Sequence, residues 1–194
     1  MNITVVEAGW LVKDDSLSWT INGVEVDPAT RTRREEYHFA ADRCLGNLVL
    51  DAASGYVPGW HQLPYILTRK EPNRFVVALD ENAAGLQMPE SPAVLRIQGN
   101  LLALPFANAS FDTVLCVSTL EHLSADHINR ALKELLRVCR RRLILTADEA
   151  NWLPRLFGGD DDHGPKASPS LVPAVYCMTI ELDRSSDDVM PVDK

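Results

Sequence analysis

Positive charge is scarce in this chain of 194 residues. Nineteen Lys and Arg stand against 27 Asp and Glu, a formal net charge of -8. A surface of that sign repels other polyanions, so neither nucleic acid nor an anionic membrane is an expected partner. The one basic run, Arg140-Arg141-Arg142, reads as a solvated helix end ahead of a strand. Cysteine is sparse too. Cys44, Cys116, Cys139 and Cys177 lie far apart in apolar segments without a C-x-x-C pair, which reads as buried reduced thiols in a cytosolic protein. No apolar run approaches about 18 residues, and the start lacks a charged-then-apolar signal, so a soluble cytoplasmic protein is expected. Repeats and low-complexity tracts are absent.

What is present is an ordered alternation. Near the start, Leu17–Ile21 and Val24–Val26 flank Asn22-Gly23, the favoured pair for a two-residue turn whose central residues need positive φ. In that register Ile21 faces Val24 and Trp19 faces Val26. Asp27-Pro28 then reads as an N-cap and first helical residue, and Gly46 as the C-cap of a helix running to about Cys44. From Leu48 short β-rich runs alternate with helical ones. Strands are expected at Leu48–Leu50, Arg74–Leu79, Ala93–Ile97, Phe111–Val117 and Arg142–Thr146. Before the last, Ser124 caps a helix whose Ile128, Ala131, Leu132, Leu135, Leu136 and Cys139 share one stripe. Strand, crossover, strand, repeated, predicts an α/β fold: a mostly parallel, doubly wound sheet with helices on both faces. Residues 1–46 are then an appended hairpin and helix, 47–184 the core, and 185–194 a frayed tail; Val172–Leu182 is one more strand candidate.

In an open parallel sheet, ligands bind beyond the carboxyl ends of the strands. The residues there are informative. The first strand is followed by Asp51, Ala53, Ser54 and Gly55, and the second by Asp80. Gly99-Asn100-Leu101 opens the stretch after the third, and Ser118-Thr119-Leu120-Glu121-His122 follows the fourth. Four polar strand ends in one sheet point to a ligand site.

The stretch GNLLALPFANASFDTVLCVSTLEHL carries the most specific pattern, in Leu104-Pro105-Phe106, Phe111-Asp112 and Glu121-His122-Leu123. With the acid-led turn of LDAASGYVPGW it resembles the class I S-adenosylmethionine-dependent methyltransferases of the small-molecule type, over about Leu48 to Ala147. The resemblance implies a Rossmann-like core and S-adenosylmethionine as cofactor. It implies that Asp51, Ala53, Ser54 and Gly55 form the turn under the methionine part. Asp80 would hold the ribose hydroxyls, Asn100 would accept from the adenine amino group, and Leu101 would pack on its face. Ser118 and Thr119 would line the floor near the transferred methyl.

Departures from that pattern sit in the same turn. Glycine is usual where Ala53 and Val57 stand. Ala53 excludes little if its φ stays negative, whereas Val57 resists positive φ, and Pro58-Gly59 points to a rerouted turn. His122 and His61 are the candidates for a base, needed only for a protonated acceptor. No metal is expected: Asp160-Asp161-Asp162-His163 reads as a solvated loop. Tyr56, Trp60 and Trp152 read as core or rim residues. The acceptor, expected to be a small molecule, is placed between residues 10–40 and 148–165. After the fifth strand the chain has room for about one more strand rather than the family's usual hairpin, leaving a cleft that is open or completed by a second subunit, a homodimer. Two other readings stand: a methyltransferase-like binding or regulatory protein without transfer, and a nicotinamide or flavin protein, whose G-x-G-x-x-G this turn lacks.

Overall fold

The computed structural model describes residues 1–12, 20–21, 24–25, 28–55, 62–87, 90–147 and 174–184. Its elements are β1 (Asn2–Val12), β2 (Thr20–Ile21), β3 (Val24–Glu25), α1 (Pro28–Arg43), β4 (Leu48–Ala52), α2 (Leu63–Lys70), β5 (Phe75–Asp80), β6 (Val94–Gln98), β7 (Phe111–Val117), α3 (Ala125–Val138), β8 (Cys139–Ala147) and β9 (Ala174–Asp183). Two single 3₁₀ turns, Ala83–Leu86 and Leu120–His122, follow β5 and β7.

Seven strands form one sheet in the order β1-β9-β8-β7-β4-β5-β6. The pairs among β4, β5, β6, β7 and β8 are parallel; β9 runs antiparallel to β8, and β1 antiparallel to β9. Burial follows the two-residue period of a strand. Val49, Leu115 and Ile144 pack with α1 and α2 through Tyr37, Ala40, Leu63 and Leu67. Their sequence neighbours Leu50, Cys116 and Leu143 pack with α3 through Ile128, Leu132 and Leu135. Helices therefore cover both faces, as expected of a doubly wound sheet.

All five expected core strands form, each within three residues of its expected start. The short β2–β3 pair holds Ile21 opposite Val24, as the Asn-Gly spacing required; Asn22-Gly23, Trp19 and Val26 lie outside the described residues. Gly46 ends α1's exit with φ +71, and a Cβ there would stand 2.4 Å from the Asp112 side chain. Asp112 holds that exit: it accepts from the backbone N–H of Asn47 and Leu48, both at 3.0 Å, and pairs with Arg140. Burial works against its charge, but those bonds outweigh it and hold the carboxyl below its ordinary range.

Two expectations change. Arg140, Arg141 and Arg142 are not a helix end but lie on β8, where Arg140 pairs with Asp112 and Arg142 with Glu181. More consequential is β1, which the sequence analysis did not foresee. It pairs with β9 from Asn2↔Asp183 to Val12↔Ala174, so the first residues share the core's sheet instead of standing beside it. The single strand expected late in the chain thus gains its missing neighbour from the chain's start. Arg43 on α1 clamps the arrangement by donating to both carboxylate oxygens of Glu7 on β1, at 2.5 and 2.6 Å. All four cysteines are buried, and none of them is in a disulfide.

Candidate functional site

The sheet's order reverses at β4: the chain runs outward through β5 and β6 on one side and then returns to lay β7 against the other. Such a switch point leaves a crevice beyond the strand ends, because successive crossovers depart to opposite sides. A cavity of about 510 Å³ lies there, lined among others by Ala53, Ser54, Gly55, Asp80, Asn100, Leu101, Ser118 and Thr119. Seven of the eight expected cofactor residues are thus brought together from four strand ends.

The turn after β4 is built without its usual glycines. Ala53 adopts φ +61, the left-handed region that an L side chain enters at a cost of about 1–2 kcal/mol, and Gly55 adopts φ +63. The condition under which Ala53 would cost little, a negative φ, is not met: the methyl is carried in the conformation a glycine would have supplied free of strain. Above Gly55 there is open space, since an added Cβ would meet only the Ala53 carbonyl oxygen, at 4.0 Å. The following residues, Tyr56, Val57, Trp60 and His61 among them, lie outside the described residues.

Asp80 fastens this turn to β5. Its Oδ2 accepts from the Gly55 N–H at 2.8 Å and its Oδ1 from the Asn82 N–H at 2.8 Å. A carboxylate offers about four acceptor positions, so both oxygens keep capacity for a ligand. Gly85, which the sequence reading passed over, packs against it; a Cβ there would stand 2.9 Å from the Asp80 Cγ. Asn100 already uses its Oδ1 to accept from the Leu102 N–H at 2.7 Å, which fixes the loop and leaves one lone pair on that oxygen.

Asp51 does not line the cavity. It is only 2% exposed, lies beneath the turn, and accepts from Ser54 Oγ at 2.7 Å. Burial pushes its carboxyl up to about 7, opposed by the Ser54 hydrogen bond and reinforced by the charge of Asp80. Its role here is to hold the turn, not to face a ligand. His122 is displaced from expectation as well: its side chain is exposed and does not line the cavity, because the 3₁₀ turn Leu120–His122 intervenes between β7 and α3. The histidine that does line it is His127, on the first turn of α3.

The opposite wall comes from α1, part of the appended segment and of residues 10–40, where one side of the acceptor pocket was expected, though no residue of it was singled out. Arg33 and Tyr37 line the cavity, and between them Glu36 is fully buried. Glu36 Oε2 accepts from Ser118 Oγ at 2.5 Å and from Thr146 Oγ1 at 3.1 Å, with Arg33 Nη1 at 3.5 Å. These contacts hold Ser118 at φ +43, where its N–H also reaches the Thr146 carbonyl at 2.9 Å. The spacing i, i+3, i+4 of Arg33, Glu36 and Tyr37 puts them on one helix face. A polar stripe facing the sheet was the signal in the sequence that could have found them.

Residues 51–145 match the family model described as the methyltransferase domain. Over that stretch, just under half of its length, the chain is similar to methyltransferase domains. Solved structures share its fold. The magnesium protoporphyrin IX methyltransferase of Synechocystis PCC 6803, with bound S-adenosylhomocysteine, is 14% identical and superposes with a TM-score of 0.57, over 82% of this chain and 89% of that one. The [4+2]-cyclase SpnF is 18% identical at 0.54, over 73% of this chain and 51% of that one. The PH0226 protein of Pyrococcus horikoshii OT3 is 24% identical at 0.50, over 67% and 60%. At these identities the likeness is one of fold. No curated protein sequence matches the chain at a significant level. No helix among the described residues is long and apolar enough to cross a membrane.

Proposed function

We propose that the cavity at the β4 switch point binds S-adenosylmethionine and that the protein transfers its methyl group to a small-molecule acceptor. The observation that carries this reading is the join between Asp80 and the Ala53–Gly55 turn through the Gly55 N–H. It sets a double acceptor beside an open backbone, the two surfaces a nucleoside with an amino-acid tail needs. In this reading Asp80 takes the ribose hydroxyls through its remaining lone pairs, and Asn100 takes the adenine amino group. Leu101, buried at the cavity wall, packs on the base. The space above Gly55 admits the methionine part.

The bound cofactor supplies a methyl on a sulfonium, so the chemistry is a direct displacement that needs alignment more than acid or base. The chain's own part is to fix the site: Glu36 and Thr146 lock Ser118, and Asp51 locks Ser54. Ala53 at positive φ bears on one of the grounds for a binding protein without transfer, because the turn forms despite that missing glycine. The acidic surface favours a small acceptor over a polyanion. A homodimer and a cytoplasmic setting are carried forward as parts of this proposal; sedimentation velocity and fractionation decide them.

Titration calorimetry with S-adenosylmethionine tests the reading directly. Binding is expected in the wild type, and Asp80→Ala should weaken it at least about tenfold, the effect of a lost charged hydrogen-bond pair, with the melting transition retained. Absence of heat and of thermal shift at millimolar cofactor would sink the proposal.

A further inference from the structure

Resting on the cofactor reading above, we infer that Glu36 takes up the proton released in methyl transfer, working through the Ser118 hydroxyl, and that the acceptor is a compound whose nucleophile is an O–H or N–H group. Glu36 is fully buried whereas Ser118 lines the cavity, so Glu36 meets a ligand only through that hydroxyl. The direction of the protons is fixed. Thr146 Oγ1 accepts from the Ser118 N–H at 3.1 Å, and gives its own proton to Glu36 Oε2, also at 3.1 Å. Ser118 Oγ gives its proton to the same carboxylate oxygen at 2.5 Å. With that proton committed, the serine oxygen has only lone pairs left for a ligand, and accepts from an X–H group instead of donating to one.

Atoms and charge then balance. The acceptor takes the methyl and leaves the electron pair of the broken bond on sulfur. Its proton passes to Ser118 Oγ while the serine's own proton passes to Glu36 Oε2. A sulfonium facing a carboxylate becomes a thioether facing a carboxylic acid, and no net charge is created in the site. The other groups around Glu36 do not serve. Arg33, at 3.5 Å, is a cation. Burial pushes the Tyr37 phenol up, and the charges of Asp51 and Glu36 add to it, so the phenol keeps its proton. Burial and the Glu36 charge likewise push the Cys177 thiol on β9 up to about 12. Around the rest of the cavity, Asp80 is tied to the Gly55 turn with Asp51 beneath it, and Glu81 and His127 are exposed. The plainer role, an anchor that ties α1 to β7 and β8, needs only an oxygen that accepts, which a glutamine also offers.

The test measures the affinities of S-adenosylmethionine and S-adenosylhomocysteine by calorimetry from about pH 5 to about pH 8, in the wild type and in Glu36→Gln. The two ligands differ at sulfur, charged in one and neutral in the other. A Glu36 that takes a proton when sulfur loses its charge makes the wild type's preference for the charged ligand grow with pH. A unit charge about 6 Å away gives a growth of about tenfold or more. Glu36→Gln still accepts from both hydroxyls but cannot take the proton, so the growth should be lost. Titration of the ligands' own groups is common to both proteins, and equal pH courses in the two overturn the inference. Should Glu36→Gln fail to fold, infrared difference spectra of the wild type decide. Replacing S-adenosylmethionine by S-adenosylhomocysteine should raise the band of a newly protonated buried carboxyl, and the band should persist in Asp51→Asn. No band, or one that vanishes in Asp51→Asn, overturns the inference as well. A wild type that binds neither ligand defeats the cofactor reading itself, a result distinct from binding both with one pH course.

Discussion

Asp51 shows how a residue legible by position can differ in duty. Its place after the first core strand marked it as part of the ligand turn, yet its carboxyl is buried under that turn and bonded to Ser54. Sequence position tells where the backbone passes; which way a short acidic side chain points depends on a neighbour three residues on. Burial raises this carboxyl to about 7, well above the value of about 3.9 for an unfolded chain. Between those values the folded protein binds a proton that the unfolded chain has released. Stability from this group is therefore complete below about pH 4, falls as pH rises to about 7, and is flat beyond. The loss is at most about 4 kcal/mol. Asp51→Asn keeps the acceptor for Ser54 and cannot ionise. Urea unfolding at pH 5 and pH 8 should show the wild type losing about 2–3 kcal/mol more than Asp51→Asn across that interval, and equal losses would refute the assignment. Glu7, Asp112 and Glu134, whose carboxyls are held low, lose their contributions at more acidic pH and are common to both proteins.

At the scale of elements, the alternation of strands and helices from Leu48 onward was readable because each piece buries a face with its own period, 2 or 3.6. The β1 strand was not readable by that rule. Met1, Ile3, Val5 and Val6 are all exposed, and the register with β9 shifts between Val5 and Glu7, so no clean alternation marks a buried face. Its partner lies at the far end of the chain, and pairing at that distance leaves no local trace. For the same reason α1 was taken as an appendage: its cavity-facing Arg33 and Tyr37 acquire meaning only once Glu36 meets Ser118 and Thr146, 82 and 110 residues away. Removal of residues 1–12 should be costly. It strips the antiparallel ladder from β9, where each net hydrogen bond contributes about 1 kcal/mol, and deletes Glu7 from its clamp with Arg43. The truncated chain is expected to melt more than about 10 °C lower, or to aggregate through the bared β9 edge. A melting curve unchanged from the full chain would mean that β1 is dispensable to the sheet.

Across the whole molecule, the cavity is where the topology places it, and its ligand wall is spread over residues close to 54, 80 and 100, with α1 closing the other side. The parts of the site that follow strand ends were legible in the sequence, since the sheet alone fixes where those ends gather. The α1 wall was legible only as a stretch, residues 10–40; which of its side chains face the cavity is decided by helix docking. That division yields a prediction for the intact protein. A ligand that binds only the folded state, at a hundred times its dissociation constant, stabilises by about 2.7 kcal/mol. For a chain of this length that is a rise of about 5–11 °C in the melting temperature on adding S-adenosylhomocysteine. Amide hydrogen exchange should then resolve where the added protection falls. The Ser54 and Gly55 N–H groups, bonded to the Leu79 carbonyl and to Asp80, should slow, together with Asn82 and Leu102, whose amides hang on Asp80 and Asn100. Amides on β1 and β9, three strands or more from the turn, should change only with global stability. Uniform protection everywhere would show the ligand acting on overall stability alone, and would move the cavity's occupant elsewhere.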